Sequence, residues 1–170
     1  VSEVAAVVYA ARVLRELAVA ALKTAATGGT LAATVYSPGD TSTAPEQLPA
    51  ILVRSARQVK RQLALGQRVY VSHIEIELQS QLDDKDPEVA QCRIEALGLQ
   101  IERVFFTDPG LWAVIEGYVE INQQIRITSD SKRHTAELDM GWVIQVRETF
   151  PPAPGVPIVS IQAIVTQSGQ

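Results

Sequence analysis

Cysteine, histidine, methionine and aromatic residues are all scarce in this chain. One cysteine, Cys92, among 170 residues excludes an intrachain disulfide and is compatible with a reducing compartment. The two histidines, His73 and His134, fall in separate segments with no further ligand at metal spacing, so neither opens a zinc motif. Gly28-Gly29-Thr30 follows a helical pattern, whereas a phosphate loop leads into a helix and carries a lysine. Positive charge is not in excess: 15 Lys and Arg stand against 19 Asp and Glu, a net charge of −4 that argues against generic nucleic-acid binding. No long apolar run is free of charge either. Residues 4–22 are rich in Ala and Val, but Arg12, Arg15 and Glu16 interrupt them and no basic segment precedes them. That stretch reads as an amphipathic helix, not a signal peptide or a membrane span. The expected site of synthesis is the cytoplasm.

The same scarcity extends to catalytic groupings. Asp83, Asp84 and Asp86 lack the glycine and terminal glutamate of a calcium loop, and Asp86 has a helix to cap. Cys92 reads as a small buried hydrophobe. Glu75 and Glu77 share one strand face, the ordinary pattern of a solvent-facing surface. No nucleophile, paired acid or cofactor motif emerges, and the chain is expected to be no enzyme and to need no cofactor or metal.

What is present is alternation. In 118–128, Val119, Ile121, Ile125 and Ile127 take one parity and Glu120, Asn122, Gln124 and Arg126 the other. In 135–150, Ala136, Leu138, Met140, Trp142, Ile144, Val146 and Phe150 are even, opposite Glu137, Asp139, Gln145 and Arg147. Successive strand side chains point to opposite faces, so these segments predict a long antiparallel hairpin with a turn over 129–134. Eleven residues at about 3.3 Å each reach roughly 36 Å, beyond the common strand length. Residues 68–82 alternate likewise, with Tyr70, Ile74, Ile76 and Leu78 against His73, Glu75, Glu77 and Gln79. Short β segments are expected at 31–36 and 50–54, separated by a proline-containing loop over 37–49.

Helical spacing marks two further segments. The first is expected to run from an N-cap at Ser2 to about Ala26, ending at Gly28-Gly29. The second begins at Asp86-Pro87-Glu88 and carries Ala90, Ile94, Leu97, Ile101, Val104 and Phe105 to Phe106. Thr107-Asp108-Pro109 starts a short helical piece ending near Glu116 or Gly117. Residues 55–67 read as a mobile loop or short helix, and Arg54, Arg57, Lys60, Arg61 and Arg68 make this region the most basic of the chain. The fold class is therefore α+β: one largely antiparallel sheet with a long β-hairpin and two main helices packed on one face. One domain spans 1–170, with a core over 2–150 and a proline-rich tail or arm over 151–170, where 158–165 has strand character. The long hairpin, the basic segment and the tail together suit an interaction protein.

Several of these segments carry a family resemblance. The first helix leads to Leu48-Pro49-Ala50-Ile51-Leu52-Val53-Arg54, and then come the basic linker and the strand at 69–82. The helix with Cys92-Arg93-Ile94-Glu95-Ala96-Leu97 and Gln100-Ile101-Glu102 follows, then Asp108-Pro109, and the closing segment ends in Glu148-Thr149-Phe150-Pro151-Pro152. Over about residues 2–160 this arrangement resembles the tail terminator (tail-completion, minor tail) proteins of long-tailed bacteriophages and gene transfer agents. The resemblance implies a virion structural protein of the tail and neck. It would be monomeric before assembly and form a homohexameric ring on the head-proximal end of the tail tube. Its partners would be itself, the tail tube protein and the head–tail connector protein, with DNA passing through the ring without specific binding. Candidate interface residues, chosen from charge, are Arg57, Lys60 and Arg61 in the basic segment and Lys132 and Arg133 at the hairpin turn. The alternatives are another neck or head-completion protein, or a small cytoplasmic enzyme or ligand-binding domain.

Overall fold

In a computed structural model, residues 10–37, 48–66, 68–130 and 132–149 are described. The elements run α1 (Ala10–Thr27), β1 (Thr34–Tyr36), β2 (Ala50–Gln62), β3 (Val69–Asp84), α2 (Pro87–Thr107), α3 (Pro109–Trp112), β4 (Gly117–Asp130) and β5 (Arg133–Thr149). The five strands form one sheet in the order β1-β2-β3-β5-β4. Only β1 pairs in parallel, with β2; every other pairing is antiparallel. The architecture is α+β, as expected. Ser2, Phe150 and the 158–165 strand lie outside the described residues, as do Ser131 and most of the 37–49 loop.

The even-numbered residues of β3 and β5 build the core. Ile74, Ile76, Leu78 and Leu82 meet Ala136, Leu138, Met140, Trp142, Ile144 and Val146 on one face, and all are buried. α1 covers the β2 side of this face with Leu14, Ala18, Ala21 and Leu22, and α2 covers the β5 side with Ala90, Ile94, Leu97, Ile101 and Phe105. Gly98 lets α2 lie close to β5, since a Cβ there would come within 3.0 Å of Leu138 Cδ2. The helix boundaries follow their chemistry. Asp86 caps α2 by accepting from the Glu88 and Val89 backbone N–H groups at 2.8 and 3.4 Å. α1 closes at Gly29 with φ +74°, the left-handed conformation that glycine adopts freely. The opposite face of the sheet has no helix on it among the described residues and carries ion pairs such as Arg54–Glu77 at 2.6 Å.

Five expectations need correction. Residues 55–62 are neither a loop nor a helix: β2 continues through them to Gln62, paired with β3 as far as Gln62↔Tyr70. A bulge between Ser55 and Arg57 reverses the parity, so Ile51 and Val53 face the helices before it and Gln58 and Lys60 after it. That break and the polar composition hide the strand from periodicity. A second bulge, between Tyr118 and Glu120, turns Val119 outward and places Tyr118 beside Phe105 and Trp142. β1 begins only at Thr34, because Leu31 is buried in the turn that follows α1. α3 stops at Trp112. Cys92 is exposed, since α2 buries the arc through Ala90, Ile94 and Leu97 and Cys92 lies on the opposite side.

The length of the expected hairpin has a simple cause. β5 is an interior strand, paired with β3 from Val69↔Thr149 to Asp84↔His134 and with β4 on its other side. We predict that Trp142→Ala lowers the unfolding free energy by about 3–5 kcal/mol in urea titration, because its indole is fully buried against three aromatic rings. Asp86→Ala should cost only about 1 kcal/mol, the usual loss of a helix cap.

Candidate interaction surfaces

The residues singled out from charge lie at opposite ends of the sheet. Arg57, Lys60 and Arg61 stand on the outer half of β2, opposite Glu75, Ser72 and Val71 of β3. Lys132 and Arg133 sit at the β4–β5 turn, beside the far end of β3 at Asp84. From Val71 to Asp84 the strand runs about 43 Å, at ~3.3 Å per residue. One patch cannot contain both groups.

Within the β2 group the three cations differ in environment. Arg57 and Arg61 are exposed on the open face of the sheet. Lys60 faces the other way, and its Nζ lies 2.9 Å from the Glu148 carboxylate. Glu148 is buried and also accepts from Gln58 Nε2 at 3.2 Å and from the Ser72 hydroxyl. Three donors around one carboxylate satisfy a charge that would be costly to bury alone. This cluster lies on the helix-facing side at the end of the apolar rows and ties β2, β3 and β5 to one another.

At the other end, Leu48, Pro49, Asp83, Asp84, Lys85, Arg93 and Arg133 line an open cleft of about 400 Å³. Its arginines are already matched: Arg93 to Asp84 at 2.7 Å and Arg133 to Asp83 at 3.5 Å. Thr135 also donates to Asp83, at 2.9 Å. The Arg93 hydrogen bond, with the Asp86 and Lys85 backbone N–H groups, holds the Asp84 carboxyl below the usual aspartate range. The aspartates singled out in sequence thus act as a cap and two ion-pair partners, and among the described residues no group of three metal-ligating side chains forms. His73 bonds Gln145 at 3.1 Å and His134 bonds Ser129 at 2.8 Å. Glu77 is engaged by Arg54 on the open face, and Cys92 stands on the outer side of α2. Among the described residues, none of these side chains has a hydrogen bond or ion pair that forms a catalytic pair.

Charge-based reading missed the apolar surface. Among the described residues, the exposed large hydrophobic side chains fall into two places. Leu63 and Leu65 occupy the β2–β3 turn, with Leu65 98% exposed. Val89, Leu99, Phe106, Trp112 and Val119 lie along α2 and its continuation into α3 and β4. Phe106 and Trp112 both pack edge-on against Tyr118, at centroid separations of 5.3 and 5.4 Å, so the lower end of this stripe is continuous. Burial and the nearby Asp108 push the Tyr118 hydroxyl well above its ordinary range, and it donates to the Phe105 carbonyl at 2.5 Å. The stripe has a sequence signal: Val89, Cys92, Ala96, Leu99, Arg103 and Phe106 repeat at intervals of three and four, a second face beside the buried one.

Among the described residues, backbone edges are open as well. β1 pairs with β2 only through Leu52, so among the described residues no strand covers the outer edge of β2 from Val53 to Gln62. β4 forms the other edge of the sheet. No helix of the described residues is long and apolar enough to cross a membrane. Comparison of the chain with protein-family models and with curated proteins gives no match.

Lys60→Met should destabilise the fold by about 1–3 kcal/mol, because it leaves the buried Glu148 short of a charged partner. Arg61→Met, one residue along on the exposed face, should stay within about 0.5 kcal/mol, and equal effects in urea titration would refute this division. The Asp84 arrangement has a definite pH sign. A carboxyl whose folded pKa is depressed adds stability above its unfolded pKa and loses it as pH falls through the folded value. The urea midpoints of the parent and Asp84→Asn should therefore differ at neutral pH and converge in acid.

Proposed function

We propose that this chain is a structural assembly protein of the junction between head and tail in a long-tailed bacteriophage or gene transfer agent, and that it acts as the tail terminator. The observation that carries this reading is the shape of the sheet. β2 and β3 run past the last core row with β5 paired to β3 as far as Thr149, carry only basic charges from Val59 to His73, end in two exposed leucines and, among the described residues, have no strand on the outer edge of β2. An assembly subunit can use such an extension to engage neighbours, since exposed strand edges and protruding strands pair with other chains.

The mechanism is geometric. Copies join by repeated heterologous contacts, and a rotation that closes makes a ring. One ring face matches the open end of the tail tube and the other does not, so tube subunits stop adding and a connector surface is created. DNA crosses the ring without base recognition. The excess of acidic residues is consistent with that role, since many phosphate contacts would retard passage.

A strain in which the gene is deleted provides the test. Electron microscopy should show overlong tails without heads, and the intact gene supplied in trans should restore normal length. Normal tails in the deletion strain would refute the terminator role.

A further inference from the structure

We infer that the tip of the β2–β3 hairpin of one copy seats on the outer stripe of α2 of a second copy. This contact rests on the reading of the chain as a self-assembling ring protein, and it names the two surfaces that meet. The tip offers Leu63 and Leu65. The stripe offers Leu99, 53% exposed, Phe106, 47% exposed, and Trp112, 44% exposed. Among the described residues these two places hold the exposed large hydrophobic side chains, apart from Val89 in the first turn of α2 and Val119 at the bulge of β4. Contiguous apolar surface of this kind, rimmed by polar groups, marks interaction sites.

Charge selects the occupant. Arg54 is held by Glu77 and Lys60 by Glu148, so the charges at the tip itself are Arg61 and Arg68, and residues 59–73 contain no acidic residue. The stripe is flanked by Glu95 and Glu102, four residues before and three after Leu99, and by Asp108 beside Trp112. Helical neighbours at those offsets share one side of the helix, so Leu99 has an acidic flank. Arg103, between Leu99 and Phe106, is the opposing charge within the stripe. A basic tip with leucines thus matches an acidic-flanked apolar helix, which is the complementarity that steers and orients association.

The tip cannot reach the stripe of its own chain. Ladder pairing holds it straight through Gln62↔Tyr70, and the Leu63 N–H donates to the Val69 carbonyl at 3.2 Å. The aromatic end of the stripe lies level with Ile74, opposite Ile144 and Tyr118. That is roughly 17 Å back along the strand and about 14 Å across three strand spacings. The contact therefore joins two copies. Its two sides differ, so each copy presents one tip and one stripe, and the interaction propagates until it closes.

Sedimentation velocity of the full chain at rising concentration and low salt tests this. The parent, a monomer when dilute, should pass beyond dimer as its concentration rises. Leu65→Asp and Leu99→Asp should each weaken association about tenfold or more, as loss of an interface anchor does. Mixing the two variants should restore dimers and nothing larger, because only one intact tip and one intact stripe then meet. Arg103→Glu should associate at lower concentration than the parent. Should Leu99→Asp fail to fold, Ala96→Asp, at an exposed position one turn away, replaces it. A parent that stays monomeric, variants that associate like the parent, or a mixture that grows past dimer would each overturn the contact. These outcomes are independent of tail length in the deletion strain: normal tails with the predicted sedimentation would sink the terminator role and leave the contact standing.

Discussion

The continuous antiparallel pairing of β3 with β5 is the constraint on which the rest of the molecule depends. It aligns two sets of even-numbered apolar side chains over the same face, from Leu82 and Ala136 at one end to Ile74 and Ile144 further along. A one-residue slip would send every one of them to the polar face, so the register is strongly specified. α1 and α2 then have one apolar surface to cover, and β2 and β4 add as outer strands. Where the apolar rows end, the ladder does not. The last pairs, Tyr70↔Glu148 and Ser72↔Val146, place a buried carboxylate and a hydroxyl where core would otherwise continue. Lys60 and Gln58 complete that polar cluster, and through it the same ladder that builds the core supports an extension beyond it.

Much of this was legible in residue order, and the exceptions have definite physical causes. Strict alternation in β5 and the cap at Asp86 are local signals, and both elements form where those signals lie. Outer β2 was not legible. One extra residue at Ala56 inverts its parity, and the side chains it presents beyond that point are those of a solvated loop. Its strand conformation comes from pairing with β3 across the 63–68 turn, which the periodicity of β2 alone does not show. Val119 failed in the same way, through the bulge beside it. Cys92 failed for another reason: α2 carries two faces with helical spacing, and only the packing against β5 decides which is buried.

The candidate surfaces follow the same division. Charge counting located the basic segment but joined it to Lys132 and Arg133, which the sheet holds at its opposite end. It also treated Lys60 as an outward-facing cation, although Lys60 is turned toward Glu148. The apolar stripe of α2 was present as a three-and-four spacing, but its meaning depends on knowing that the packing leaves Leu99 and Phe106 about half exposed. In the contact proposed above, a hairpin tip with leucines and an acidic-flanked apolar helix act as two unlike surfaces of one subunit. Repeated heterologous contacts of that kind close into a ring when the rotation between copies allows it.

The central claim is that this chain arrests tube growth. The direct measurement is the elongation of purified tail tubes, followed by electron microscopy after the chain is added in excess and fresh tube subunits are then supplied. The account predicts density at one end of each tube and no further lengthening from that end. Tubes that continue to lengthen at both ends in the presence of the chain would contradict it.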